Sequence, residues 1–230
     1  METLVTLKVS VVLRLKMTEI NHKDRIRQEA RDLVMQYGIR SVSMDDIAAK
    51  LGMSKKTIYQ FYKDKDELIG DIIESLIFQN QQICIADKQN AENAIHEIFL
   101  AMKIVAEMFR SMNPSLLLDL QKYHDSTFRK FLNHKNEFLL NMMHHNIQRG
   151  IKEEYYRPEI NVEIMALFRV ESMFIPFNPS FFKNVKASLL EIEQELIVHF
   201  LFGLVTLKGY KMVLKYQEQR EKIKYKQSGK

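Results

Sequence analysis

Residues 43–68 read SMDDIAAKLGMSKKTIYQFYKDKDEL, a pattern that predicts two short helices joined by a tight turn. Ser43 is placed to cap the first helix, with two aspartates near the helix's positive end. Gly52 stands where a left-handed turn residue is needed, because glycine adopts positive φ without a Cβ penalty. Ser54 is placed to cap the second helix, predicted over residues 55–62. Together these features are typical of a helix-turn-helix, whose second helix enters the major groove of DNA.

The outer face of the second predicted helix combines cationic, hydroxyl, aromatic and amide groups. Lysine neutralises phosphates and releases counterions, and lysine or glutamine also reads base edges. An ordinary solvated helix is the alternative, and a lysine pair with one tyrosine would favour it if they stood alone. The turn glycine, the two serine caps and their spacing favour a DNA-reading helix instead. The residues on this face are Lys55, Lys56, Thr57, Tyr59 and Gln60.

Residues 25–68 resemble the DNA-binding head of the tetracycline-repressor (TetR) family of bacterial regulators. The likeness rests on YG, DDIA, LGMSKKTIY and KDKDEL within that stretch, and it covers about a fifth of the chain. It implies an all-α fold, with an N-terminal three-helix helix-turn-helix head followed by a C-terminal helical body that binds a ligand and dimerises. The function it implies is a transcriptional regulator, most often a repressor, that binds a palindromic operator as a homodimer. A small apolar or amphipathic ligand would release it from the operator.

Carried over position by position, the resemblance implies two sets of DNA contacts. The base-facing positions match Lys55, Lys56, Tyr59 and Gln60. The phosphate contacts match Ser43, Thr57 and Lys65.

One pair of residues departs from the family pattern. Phe61 and Tyr62 stand where the family has Tyr or His followed by Phe. Phe61 has no hydrogen-bonding group for a phosphate, so that contact is in doubt. Tyr62 is expected to pack inward with its hydroxyl at the rim.

Composition favours a helical protein with a sizeable core. The chain has 230 residues, 46% of them hydrophobic, with only seven glycines and four prolines. A single cysteine, Cys84, excludes an internal disulfide and is typical of a reducing, cytoplasmic location. The net charge of +5 comes mainly from residues 208–230, which hold eight Lys or Arg and two Glu, whereas residues 17–70 hold ten and nine. We therefore expect a local lysine cluster, rather than net charge, to attract DNA.

Apolar periodicity and turn signals predict one helix after another along the whole chain. Besides the pair in the head, helices are predicted over residues 21–37, from 64 toward 84, and over 91–112, 115–123, 126–148, 162–174 and 186–217, with Gly150 ending the helix before it. The expected domains are an N-terminal extension (1–16), the helix-turn-helix domain (17–68), a helical regulatory and dimerisation domain (69–217) and a basic flexible tail (218–230).

Residues 1–16 alternate like a strand, yet nothing later in the chain offers a sheet. Their apolar run is too short and too charged to span a membrane. We predict that translation starts at Met17; the alternative is a basic arm that touches DNA.

Thirteen methionines and fourteen phenylalanines suggest an adaptable apolar pocket in the body, although most of them are expected to be core. The pocket candidates are Met102, Met108, Met112, Met142, Met143, Met165, Phe168 and Met173. Residues 162–174 and 189–214 are apolar enough to need burial. A four-helix bundle with a second chain would bury them, as the resemblance implies; burial inside the monomer is the alternative.

Histidines offer no metal site, because their spacing does not suit a shared ion. His124, His134, His144 and His145 are expected at the surface or at a pocket rim, and His199 in the core or an interface. No metal and no cofactor are expected.

Three other functions stay open. A TetR-like DNA-binding protein without a small-molecule effector, DNA-organising or division-linked, would share the fold. An enzyme would need clustered acid-base or metal groups, and the sequence has no phosphate-binding glycine loop, HExxH, CxxC or nucleophile elbow. A membrane-surface protein would use the N-terminal segment and the basic tail.

Overall fold

The computed structural model of the protein describes residues 22–178 and 184–228. In these parts every regular element is a helix, apart from an isolated antiparallel bridge between Tyr156 and Val205. The all-α prediction is therefore confirmed. The extension predicted over residues 1–16 and the start predicted at Met17 lie outside the described residues.

The helices follow one another with short connections. They are α1 (described over residues 22–37), α2 (Met44–Leu51), α3 (Lys55–Tyr59), α4 (Lys65–Asn90), α5 (Ala94–Ser111), α6 (Leu116–Tyr123), α7 (Asp125–Asn133), a π-helical stretch (His134–Leu139), α8 (Leu140–Lys152), α9 (Val162–Ser172), a 3₁₀ turn (Ile175–Phe177), α10 (Leu189–Leu204) and α11 (Leu207–Ser228).

The chain folds into two compact units. Of the described residues, the first unit contains those up to Leu76 together with Ser115–Thr127, and the second contains Ile77–Pro114 and those from Phe128 onward. The division by packing falls within α4 and assigns α6 to the first unit. The functional boundary predicted between residues 68 and 69 stays a prediction.

The first unit is held together by apolar positions at helical spacing. Ile26, Ala30 and Val34 of α1 are each at most 1% exposed, as the 3.6-residue period predicts. Tyr37, which continues the same spacing, is 51% exposed instead. It is the last residue of the helix, and at Gly38 the chain turns away with φ 85°.

The second unit has a core built mainly from α5, α8, α10 and α11. Fully buried members include Ile95, Ile147, Leu201 and Val213. Burying a side chain of this size contributes about 1.5–3 kcal/mol. The apolar character of residues 189–214 is thus partly explained by burial within one chain.

Gly150 does not end a helix, contrary to the prediction, since α8 continues to Lys152. A Cβ atom at Gly150 would lie 2.0 Å from the ring of Tyr156, which is 1% exposed. Glycine is therefore needed here for close packing inside a helix. The preceding helix, predicted as regular, also contains the π-helical stretch His134–Leu139.

The prediction of one continuous helix over residues 186–217 is wrong, because the structure has two helices there. The chain is broken between them at Val205 and Thr206, where the Thr206 N–H donates to the carbonyl of Tyr155 at 2.9 Å. A Cβ atom at Gly209 would lie 2.1 Å from that same carbonyl oxygen. After the break, α11 runs through Ser228, so most of the predicted flexible tail is helical.

Two histidines differ from expectation. His134 is 8% exposed rather than at a surface, because its ring nitrogens lie 3.1 Å from Asn80 Oδ1 and 3.4 Å from Gln81 Nε2. His199 is exposed in the isolated chain, so the core alternative is wrong and the interface alternative stays a prediction. Across the described ranges, no helix is long and apolar enough to cross a bilayer, and no group of three metal-ligating side chains comes together.

Candidate nucleic-acid interface

The first helix of the predicted pair begins with a reciprocal cap. The Ser43 hydroxyl accepts from the Asp46 N–H at 3.1 Å, and the Asp46 carboxylate accepts from the Ser43 N–H at 2.7 Å. These bonds to Ser43 lower the pKa of the Asp46 carboxyl. Gly52 ends the helix with φ 63°, in the left-handed region. The cap and the turn are both confirmed as predicted.

The second helix, α3, presents its outer side to solvent. Ser54 caps it by accepting from the Thr57 N–H at 3.1 Å, as predicted, and Ile58 is fully buried beneath it. It ends at Tyr59, earlier than predicted, because the N–H groups of Gln60 and Phe61 bond three residues back and tighten the chain.

Tyr62 lies just beyond that tightened turn. It is 1% exposed, and its hydroxyl donates to Asp71 at 2.6 Å instead of reaching the rim. Burial, followed by this contact, raises the pKa of its hydroxyl. Phe61 is partly buried and stacks on His22, with ring centroids 6.3 Å apart.

The four predicted base-facing residues are all exposed. With 3.6 residues per turn, Lys55, Lys56, Tyr59 and Gln60 fall on one side of the helix. Lys55 Nζ donates to Asp45 Oδ2 at 2.8 Å, and this bond raises the pKa of the Lys55 ammonium. Among the described residues, no carboxylate lies within ion-pair distance of Lys56.

The three predicted phosphate contacts have partners within the protein. Ser43 is occupied by the cap of α2, and the Thr57 hydroxyl lies 2.8 Å from that of Ser54. Lys65 Nζ donates to the carbonyl of Ile39 at 2.5 Å, and burial lowers its pKa. Ser43 is exposed, whereas Thr57 and Lys65 are only partly exposed, and all three roles as phosphate contacts stay predictions.

The start of α4 carries a side-chain cap that differs in one bond from a reciprocal capping box. Asp64 accepts from the Glu67 N–H at 2.8 Å, as expected for a cap. The Glu67 carboxylate accepts from the N–H of Lys63 at 2.7 Å, one residue before the position that a reciprocal box would use.

Sequence reasoning missed the contribution of α6 to the first unit. His124 Nδ1 lies 2.5 Å from Asp66 Oδ1, and the Arg40 guanidinium lies 5.2 Å above the ring of Tyr123. Asp119 accepts from the backbone N–H of Arg40 at 3.4 Å. These contacts join residues more than fifty positions apart, and no local pattern indicates them.

The predicted pocket residues range from buried to exposed. Met102 is buried, while Met108 and Phe168 are 39% and 51% exposed. The partly buried members are Met112, Met142, Met143, Met165 and Met173. A recess in the second unit includes only Met102 of this set, and its lining is Met102, Val105, Leu190, Glu193, Gln194 and Ile197.

A buried ion pair also went unpredicted. Arg169 of α9 and Glu193 of α10 have side chains only 2% and 3% exposed, and the Arg169 guanidinium donates to Glu193. A signal was present, because a charged residue interrupts the apolar run MALFRV at positions 165–170. Burial raises the pKa of the Glu193 carboxyl, and Arg169 opposes that shift.

The capped helix pair, its glycine turn and its exposed cationic side define a helix-turn-helix protein. Residues 26–72 match the family model described as bacterial regulatory proteins, tetR family. This stretch of the chain is therefore similar to the DNA-binding region of that family.

Three relatives illustrate the extent of the likeness. YvaF, an uncharacterised HTH-type transcriptional regulator of Bacillus subtilis, is 34% identical over 101 residues, which are 44% of this chain and 53% of that protein. This match spans about half the length of YvaF. YhgD of the same organism, likewise an uncharacterised HTH-type regulator, is 23% identical over 192 residues, or 75% and 94% of the two chains. The solved structure of KstR2, a ketosteroid transcriptional regulator of Mycobacterium tuberculosis, has a TM-score of 0.57 at 14% identity and covers 80% of this chain and 95% of its own. The last likeness concerns the fold alone.

Proposed function

We propose that this protein is a cytoplasmic transcriptional repressor that binds an inverted-repeat operator as a homodimer. The observation that carries the proposal is the exposed side of α3, where Lys55, Lys56, Tyr59 and Gln60 stand together. In a helix-turn-helix dimer the two recognition helices enter the major groove about one helical turn apart. Lysine and glutamine side chains can contact phosphates and base edges there.

A second copy of the chain is the partner that we propose for the exposed apolar side chains of α9 and α11. Ile164, Leu167 and Phe168 of α9 are more than half exposed, and Leu207 of α11 is 75% exposed. Clustered apolar exposure of this kind favours association. The proposed interface thus uses the predicted segments 162–174 and 189–214.

The proposed signal is a small apolar or amphipathic molecule bound in the second unit. Such an effector releases the operator if it binds the DNA-incompetent state more tightly than the competent one. The same family fold without an effector remains the alternative, and effector-dependent loss of DNA binding distinguishes the two.

The test begins with selection of sites from a random duplex library by the full chain. We expect an inverted repeat to emerge. Lys55→Ala and Tyr59→Ala should then weaken binding to that site about tenfold or more, because each removes a contact to DNA. Lys103→Ala removes the same charge from an exposed position of the second unit and should leave affinity unchanged. If the wild type and these three variants bind the selected site with equal affinity, the proposal that this side of α3 contacts DNA is refuted.

A further inference from the structure

Helix α3 is too short to fix its own direction. A helix of five residues makes few internal hydrogen bonds, so its direction depends on anchors to the rest of the unit. Ser54 caps its start, and Ile58 is fully buried beneath it. Beyond its end, the N–H groups of Phe61 and Tyr62 both donate to the carbonyl of Ile58, at 3.0 and 3.1 Å. Tyr62 is therefore tied closely to the end of α3.

The Tyr62 hydroxyl is bonded to a carboxylate that α1 also holds. Tyr62 is 1% exposed, and its hydroxyl donates to Asp71 Oδ2 of α4 at 2.6 Å. On α1, Arg27 Nη1 donates to Asp71 Oδ1 at 3.4 Å, and Lys23 Nζ lies 3.8 Å from Oδ2. Lys23 Nζ also lies 5.1 Å from the centre of the Tyr62 ring. One carboxylate thus connects the end of α3 to both α1 and α4.

This hydrogen bond gives the anchor a direction that burial alone does not give. Burial of an aromatic ring is favourable but non-directional, so a ring can tilt without losing its apolar environment. A hydrogen bond to a charged group is among the stronger ones in proteins, and it fixes both distance and angle. Because the Tyr62 hydroxyl is buried, water does not compete freely for it. The bond to Asp71 therefore restricts how the end of α3 can move.

The direction of α3 matters most for sequence reading. Attraction between lysine and phosphate does not depend on sequence, whereas a bond to a base edge needs donor and acceptor in place. Binding groups must be held within about 0.5 Å and 10–20° by the bonds behind them. A change in the angle of α3 should therefore reduce the preference for one sequence more than the general affinity for DNA.

We propose that the Tyr62 hydroxyl is a positioning group for sequence-specific DNA binding and that it acts through Asp71 by fixing the direction of α3. The hydroxyl is buried and faces Asp71, so it does not contact DNA itself. This inference rests on the proposed function, because it concerns how the proposed reading side of α3 is held.

The test compares the affinities of the full-length protein for the selected operator and for a random duplex of equal length, by fluorescence anisotropy. Tyr62→Phe keeps the ring and removes only the hydroxyl, while Asp71 keeps Arg27 and Lys23 as partners. We expect the ratio of the two affinities to fall at least about fivefold, the effect of one mismatched base pair. Affinity for the random duplex should change less than about twofold.

Tyr37→Phe is the matched control, since it removes a hydroxyl from a tyrosine of the same unit that is 51% exposed. Its ratio of affinities should equal that of the wild type. An unchanged ratio in Tyr62→Phe would overturn the inference. An equal loss of affinity for both duplexes would overturn it too, because such a loss reports folding rather than direction.

A double-mutant cycle tests whether the hydroxyl acts through Asp71. Asp71→Ala removes the acceptor, and the side chains of Lys23 and Arg27 that it leaves are 46% and 30% exposed, so water can solvate both. Once the acceptor is absent, adding Tyr62→Phe should change the ratio of affinities less than about twofold. If the two substitutions act additively, the hydroxyl does not act through Asp71 and the inference is wrong.

Hydrogen exchange gives a measurement without DNA, so failure of this inference can be told apart from failure of the proposed function. In Tyr62→Phe, residues 57–62 should exchange at least about tenfold faster, the size expected for loss of a hydrogen bond to a charged group, and residues 43–51 should not. Equal acceleration in both segments, or none, would refute the anchoring of α3. If exchange changes as expected but the library yields no inverted repeat, the proposed function fails and the anchoring stands.

Discussion

Asp45 carries a negative charge beside the side chains that we propose to read DNA. Its Oδ2 accepts a hydrogen bond from Lys55 Nζ at 2.8 Å in the free protein. A DNA phosphate would therefore have to compete with Asp45 for this lysine. The Lys55 side chain is 44% exposed and that of Asp45 is 70% exposed, so water and salt screen the pair. The lysine can therefore change partners at little cost.

Asp45→Asn should increase affinity for the selected operator several-fold. The change frees Lys55 and removes one charge that repels phosphate, and the gain should shrink as salt is raised. Fluorescence anisotropy at two salt concentrations measures both effects. Asp32→Asn, at an exposed carboxylate of α1 bonded to Arg31, is the matched control. Unchanged or weaker binding of Asp45→Asn would mean that Asp45 positions Lys55 for its contact with DNA.

At the level of elements, the π-helical stretch begins at a buried histidine that favours the neutral form. His134 has Nε2 near Asn80 Oδ1 and Nδ1 near Gln81 Nε2, an arrangement that suits one donor and one acceptor. Burial lowers the pKa of His134 below its usual 6.5. As pH falls through 6.5, the unfolded chain takes up the proton first, and stability declines until the folded-state pKa is passed.

His134→Gln should remove that part of the decline, whatever its effect on stability at neutral pH. Urea denaturation between neutral and mildly acidic pH gives the slope of stability against pH for each protein. His145→Gln, on an exposed histidine of α8, should keep the wild-type slope. If His134→Gln and wild type show the same slope, another group is responsible for the acid sensitivity.

Elements set by neighbouring residues were predictable from sequence, and elements set by distant contacts were not. The caps by Ser43 and Ser54 and the turn at Gly52 depend on bonds within three or four positions, and the structure has them all. Gly150 resembled a helix end, and only the ring of Tyr156 explains its place inside α8. The break at Val205 likewise depends on Tyr155, fifty residues earlier.

In the candidate sites too, some residues could be predicted from sequence and others could not. The exposed side of α3 follows from periodicity and the family resemblance, so its residues could be named beforehand. The partner of Lys65 is the carbonyl of Ile39, and the partner of Glu193 is Arg169, and both pairings arise from packing between helices. A methionine-rich composition indicated an adaptable interior but could not indicate which side chains line a recess.

For the whole molecule, association of two copies is the property on which the proposed operator binding depends most. A single helix-turn-helix makes few contacts, and two of them on one site add their binding free energies, less the cost of alignment. The exposed apolar side of α9 is the surface that we propose to hold two copies together.

Phe168→Glu should convert the dimer to monomer and abolish tight operator binding while α3 remains intact. A charge at the centre of a buried apolar interface has no counterion there, and its desolvation costs several kcal/mol. Sedimentation equilibrium gives the mass, and anisotropy gives the affinity. Phe78→Glu makes the same change at a side chain of α4 that is 61% exposed, and it should leave the mass unchanged. A Phe168→Glu protein that still sediments as a dimer would move the interface elsewhere.

The short segment after α8 has a consequence for protein engineering. Its backbone is bonded on both sides of the break between α10 and α11, through the carbonyl of Tyr155 and the N–H of Arg157. Although residues 153–160 look like an ordinary surface loop, their backbone hydrogen bonds connect them to the end of α10 and the start of α11. A fluorescent reporter inserted into this loop would break these hydrogen bonds. A biosensor made from this protein therefore needs its insertion point at another connection.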